Sequence, residues 1–332
     1  MARNRIIYQS ESVAVSIDHE AAAQTTVAKG VQSVSYGLDV TREDVLQFGD
    51  LGAVDRIVLE APVANVETSM YIGGLAPIIL SDLLGAAISG RKVDCLIGLD
   101  NDEGEDYSAS NKTVKMTSGS LTSMSAEGSV GSIPTLTLGF EGTDLIFDTT
   151  AVGAPATDID VSTQSGVVVD FSELTPESDF TGHYIHPQSA TVSFDLGVEG
   201  LQELTYKLPA AAGGVVTASN KFQYARVPSF PATASLELEA FAVDRGMSMS
   251  LSSLQQKASV AGKSNNANEG GFCNVAVNFG GTEFKLKSGT LDACSFSSSI
   301  GDTAATCNAT FSCSIGGLNS VSTLLISDTP AG

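Results

Sequence analysis

The chain states one pattern twice. Residues Val114–Gly131 read VKMTSGSLTSMSAEGSVG, and Phe284–Gly301 read FKLKSGTLDACSFSSSIG, 170 positions later. Lys115, Ser118, Gly119, Leu121, Ser125 and Gly131 return as Lys285, Ser288, Gly289, Leu291, Ser295 and Gly301. Internal self-similarity at this spacing reads as one structural unit used twice, so each unit must be a fold that gains by being fused to itself.

The same offset holds upstream. Val66–Tyr71 faces Leu236–Phe241, and both alternate apolar with polar residues as strands do. Pro77–Leu84 then faces Met247–Leu254, each a helix-compatible segment after a glycine turn. Pro77 suits a helix start, where the first-turn N–H has no intrahelical partner. Asp94–Leu99 and Phe272–Val277 match at an offset of 178, which makes Cys95 and Cys273 equivalent. Length differences fall in turns, with a longer Gly262–Gly271 in one copy and an acidic Asp100–Asn111 in the other. The closing strand repeats as Thr135–Phe140 and Thr306–Phe311, and Gln32–Leu38 matches Gln188–Phe194 near an offset of 156. The second copy then carries an insertion, Leu208–Ser219. Two units are expected, residues 1–170 and 171–332, each long enough for its own core.

Serine, threonine, valine and glycine dominate, with turn signals about every 8–12 residues, so the class is mainly β. The apolar run Leu75–Ile88 contains Asp82 and is shorter than the roughly 20 residues a membrane span needs, so no membrane insertion is expected. Arg3 and Arg5 are followed by no apolar core of a signal peptide, which points to synthesis in a cytoplasm. The five cysteines fit buried thiols. With Gly301-Asp302 as a two-residue turn, Cys294 falls opposite Ala309 and not opposite Cys307, so a disulfide is not expected.

Acidic residues number 38 against 17 basic, a net charge of −21. The first 170 residues hold 24 acids and 9 bases, the rest 14 and 8. Such a chain is unsuited to grip DNA, since affinity for phosphates comes from lysine and arginine. A surface that lies close to DNA without holding it would be acidic.

Nucleophilic catalysis has only His19, His183 and His186 to draw on, none in a recognisable nucleophile context. No zinc helix, phosphate loop or dinucleotide fingerprint occurs. Asp100–Asp106 alternates carboxylates, but an EF-hand type calcium loop starting at Asp100 needs glycine sixth and glutamate twelfth, where Glu105 and Asn111 stand. No catalytic, cofactor-binding or metal-binding residue is assigned, and no enzyme is expected. The weakly charged strands Leu291–Ser299 and Thr306–Ile315 pose an edge problem instead, because unblocked strand edges recruit neighbours. Two similar units per chain would let a ring of three chains imitate sixfold symmetry.

Val31–Tyr71 resembles the tail tube (major tail) proteins of long-tailed bacteriophages. The likeness rests on the Ser-rich Ser33–Val40, Arg42-Glu43, the turn Phe48-Gly49, Arg56, and Pro62 before Val63–Tyr71. The opening Arg5–Glu11 and the hairpin Ser118–Phe140, repeated as Ser288–Phe311, are similar to that family too. The second copy departs, reading Leu196–Leu201 where the Arg-Glu segment would stand. The resemblance implies two tandem β-sandwich or barrel tail-tube-like domains, each with a flanking α-helix. It implies a virion protein assembled in a host cytoplasm, forming homotrimeric, pseudo-sixfold rings stacked into a tube with other tail proteins. DNA would pass through the acidic lumen without specific binding, and loops such as Asp100–Asn111 or Thr41–Asp55 would bridge subunits. A phage decoration protein or a surface-layer or adhesin-type β protein is the alternative.

Overall fold

A computed structural model describes residues 12–17, 24–49, 51–58, 62–73, 75–99, 112–148, 167–170, 186–203, 223–241, 272–298, 305–315 and 323–328. The first half runs β1 (Ser12–Ile17), β2 (Gln24–Val27), β3 (Val31–Asp39), β4 (Arg42–Leu46), β5 (Ala53–Val58), β6 (Val63–Tyr71), α1 (Pro77–Ser89), β7 (Val93–Leu99), β8 (Lys112–Ser129), β9 (Thr135–Gly142) and β10 (Asp144–Asp148). The second runs β11 (Val167–Asp170), β12 (His186–Asp195), β13 (Val198–Glu203), β14 (Gln223–Pro228), β15 (Ala232–Phe241), β16 (Phe272–Phe279), β17 (Thr282–Ser297), β18 (Thr306–Ile315) and β19 (Thr323–Asp328). The protein is mainly β, with one helix among the described residues. The second helix expected over Met247–Leu254 lies outside them, as do Asp100–Asn111 and Leu208–Ser219.

The long strand β8 changes partners half-way. Its first half pairs with β7 and β10, and its second half pairs with β9. The change falls at Ser118, whose φ of 52° is left-handed, and at Gly119. A side chain on Gly119 would meet the carbonyl oxygen of Val93 at 2.9 Å and the side chain of Met116, so only glycine fits. Asp94 fixes the spot by accepting from the Ser118 N–H at 3.0 Å. β17 divides in the same way, with β16 and β19 on one stretch and β18 on the other.

Pairing registers repeat between the halves. Val66 opposes Phe140 and Leu236 opposes Phe311; Tyr36 opposes Val66 and Val192 opposes Leu236. Even the irregularities recur, at Val31/Ser33 and Pro187/Ser189, and at Leu121/Ser123 and Leu291/Ala293. One expectation is corrected. Cys95 opposes Met116, and the residue opposing Leu286, the counterpart of Met116, is Val275. Cys273 instead opposes Gly289, as Val93 opposes Gly119. The offset is thus 180 rather than 178. A two-residue slip leaves the inside–outside alternation untouched, so the pattern in the sequence is blind to it.

Alternation builds the interior. Ala64, Val66, Met70, Leu136, Leu138 and Phe140 from β6 and β9 are buried against Val13, Val15, Cys95, Ile97, Val114 and Met116 from β1, β7 and β8. α1 adds Leu80, Leu83 and Leu84. It ends at Gly90 with φ 70°, a left-handed cap that lets backbone N–H groups reach the Ala86 and Ala87 carbonyls. The buried side chains of both halves form one contiguous core, and 15 strands from both halves form one sheet. The halves are joined where β8 pairs with β12, Ser125 opposite Ser193 and Met124 opposite Phe194. α1 also lies against β19, a second contact across the halves.

Candidate functional site

Eight strands follow one another in the order β3, β6, β9, β8, β12, β15, β18, β17, four from each half. One face of this array is the core described above. The other is open and polar, because each strand alternates. On β6 it presents Asn65, Glu67 and Ser69; on β15, Thr233, Ser235, Glu237 and Glu239. Asp39, Glu127, Glu141, Asp195 and Asp292 are the other acids on the eight strands. No lysine or arginine stands on any of the eight strands in these stretches. Lys112, Lys115, Lys285 and Lys287 lie instead on the stretches of β8 and β17 that pair with β7, β10, β16 and β19. Lys115 makes an ion pair with Asp94 there, at 3.0 Å.

Short polar side chains knit the open face. Ser193 and Ser235 hydroxyls are 3.0 Å apart, Ser189 donates to Glu239 Oε2 at 3.3 Å, and Asn65 Nδ2 donates to Asp39 Oδ2 at 3.2 Å. Serine and threonine keep the face low. A Cβ on Gly139 would meet the Ser123 hydroxyl, which would have to turn aside. Glu67 and Glu237, at the 170 offset, occupy the same place in the two halves.

A second feature is the hairpin β4–β5, which stands apart from the large sheet. Thr41–Asp55, expected as a loop, contains all of β4 and the start of β5. The alternation in Arg42–Leu46 is masked by charge, and the strands are held by Asp44 opposite Arg56, an ion pair in which the Arg56 guanidinium donates to the Asp44 carboxylate. Leu46, Phe48, Leu51 and Val54 are all exposed on it, Phe48 and Leu51 completely. β13–β14 occupies the corresponding position between β12 and β15.

Cys294 opposes Ala309, as the turn arithmetic required, and its Sγ lies 3.9 Å from Cys307 Sγ, a contact rather than a bond. Burial pushes the Cys95, Cys307 and Cys313 thiols up to about 12. Among the described residues no three histidine, cysteine, aspartate or glutamate side chains are grouped to hold a metal ion. His186 begins β12 opposite Phe241, while His19, His183 and Asp100–Asp106 lie outside the described residues. No helix of the described residues is long and apolar enough to cross a membrane.

No protein-family model matches the chain, and no curated protein matches it. Among solved structures it is similar to the tail of an empty GTA particle refined with helical C6 symmetry, at 14% identity and a TM-score of 0.30, over 41% of this chain and 95% of that one. It is also similar to the sixfold-symmetrised baseplate of the anti-feeding prophage, at 14% identity and a TM-score of 0.32, over 44% of this chain and 97% of that one.

Proposed function

We propose that the chain is a structural virion protein whose two tandem, duplicated tail-tube-like domains polymerise into a hollow phage tail tube for DNA. The observation that carries the reading is the open sheet face: eight strands, acidic, and without lysine or arginine. Three such chains would line a ring with about 24 strands. At about 4.8 Å between strands, with the tilt a closed barrel needs, the lumen is on the order of 40 Å across. A DNA duplex passes through that width with room for water and counterions.

The chemistry of the face suits passage. Carboxylates repel phosphates over the roughly 8 Å Debye length of physiological salt, and serine and threonine offer only weak, exchangeable hydrogen bonds. Neutralising lysines, which release counterions and hold DNA, are absent from the face. The exposed apolar hairpin β4–β5 supplies a contact toward a neighbouring subunit or the next ring. Negative-stain microscopy of the purified protein tests the reading. Rings or tubes with a central hole a few nanometres wide are expected; a dispersed monomer at every concentration would sink it.

A further inference from the structure

β10 and β19 are equivalent strands, away from the open face. β10 pairs with β8 before Gly119, and β19 pairs with β17 before Gly289. Their registers agree residue by residue. Phe147 opposes Val114 as Ile326 opposes Phe284, and Ile146 opposes Lys115 as Leu325 opposes Lys285. Among the described residues each of the two strands has a single pairing neighbour, so both are edges.

Exposure separates the two strands on one side only. The outward residues match, with Ile146 39% and Leu325 44% exposed. The inward ones do not: Ile326 is 7% exposed and Phe147 is 78% exposed. Leu324 is buried as well, while its counterpart Leu145 is only partly covered. An edge position cannot be the cause, because both strands have it. The cover differs. β19 belongs to the second half and is the element that α1, from the first half, lies against most. β10 lies against β8, β3 and β6, strands of its own half. A helix laid on a sheet is an ordinary way to close an apolar sheet face, and the inward side of β10 is apolar and open.

We infer that the Phe147 side of β10 is a docking surface for the second half of another copy, which covers it as the first half covers β19 within the chain. The chain itself makes the first-on-second contact, through α1 and β19. The complementary second-on-first contact is the one it leaves unmade, since Phe147 stays exposed. A second copy of the chain carries the matching half, which is why it is the occupant. Two unlike surfaces meet, so the contact is head-to-tail and repeats from copy to copy. It rests on the self-assembly proposed above and gives it a receiving surface distinct from the open sheet face.

Photo-crosslinking of the full chain tests it. Phe147→p-benzoylphenylalanine keeps an aromatic side chain at an exposed site and joins covalently to whatever touches it on irradiation. Isotopically light and heavy chains are assembled together, irradiated, digested and read by mass spectrometry. Mixed-isotope pairs are expected, linking position 147 of one copy to residues 171–332 of another. They should exceed at least tenfold those from Ile146→p-benzoylphenylalanine, on the outward side of the same strand. Phe147→Asp should raise the concentration needed for assembly at least tenfold, and Ile146→Asp should leave it unchanged. Assemblies whose position 147 links within its own chain, links to residues 1–170 of another copy, or links no more than position 146 overturn the docking surface and leave the tube reading standing. Assembly of Phe147→Asp at the wild-type concentration does the same. Wild-type protein that stays monomeric overturns both.

Discussion

Leu38 and Phe194 hold one position in two equivalent strands, two residues along from Tyr36 and Val192, yet Phe194 is sealed in the core and Leu38 faces solvent. The difference lies in what stands beside each strand. β12 has β8 on its outer edge, with Met124 opposite Phe194; β3 has no strand there among the described residues. An uncovered strand edge is where a further strand can add.

The two positions should separate folding from assembly. Phe194→Ala removes a buried aromatic and is expected to cost about 3–5 kcal/mol, seen as a lowered denaturation midpoint. Leu38→Asp should leave the denaturation midpoint of the dissociated chain within about 0.5 kcal/mol of wild type while abolishing ring formation in sedimentation and microscopy. Equal loss of stability in both variants would show that Leu38 serves the monomer's own fold.

How much of this was legible in the sequence depends on the signal each feature leaves. The alternation in Val66–Tyr71 and Leu236–Phe241, and the Ser-Gly pairs at 118 and 288, located strands and registers because burial imposes a period of two. The sequence match pairs Cys273 with Cys95, two positions from its true counterpart, Val93, because that slip preserves the alternation. The open face left no signal of its own. Glu67 and Glu237 alternate with buried neighbours like any exposed strand residue, and nothing in their spacing says that eight strands carry their acids on one continuous surface. That depends on β8 pairing with β12, a contact between distant segments.

Reversing charge on that surface should turn a sliding face into a binding one. Glu67→Lys with Glu237→Lys changes the face charge by four per chain at equivalent places in the two halves. Tubes should still form, because both side chains are exposed and neither makes an ion pair across a packed contact. They should retain linear duplex DNA in a sedimentation assay at low salt and release it as salt rises, with log K falling linearly against log salt. Tubes of the variant that ignore DNA at low salt would remove these glutamates from the lumen.

The hairpin makes a different prediction from the sheet edge. Phe48 and Leu51 are wholly exposed at its end, and burying each against a neighbour would contribute about 1.5–3 kcal/mol. Phe48→Ser with Leu51→Ser should leave single rings intact and raise the concentration needed for tubes by at least tenfold, measured by light scattering. Loss of rings along with tubes would place the hairpin in the ring seam instead.

Cys95 ties the corrected register to a measurable pH response. Complete burial, with the Asp94 carboxylate beside it as a smaller cause, raises its thiol from 9.0 to about 12. A group raised on folding contributes fully below its unfolded value and loses that contribution as pH climbs through the folded one, here between about pH 9 and 12. The second half carries Val275 at this place, buried in a matching environment. Cys95→Val is therefore expected to change stability at pH 7 by less than about 1.5 kcal/mol. Above pH 9 the variant should lose stability less steeply than wild type, by a margin growing to a few kcal/mol near pH 12. Urea denaturation at pH 7, 9 and 10.5 measures that gap; parallel pH dependences for the two proteins would show that Cys95 stays protonated, or is solvated, in both states.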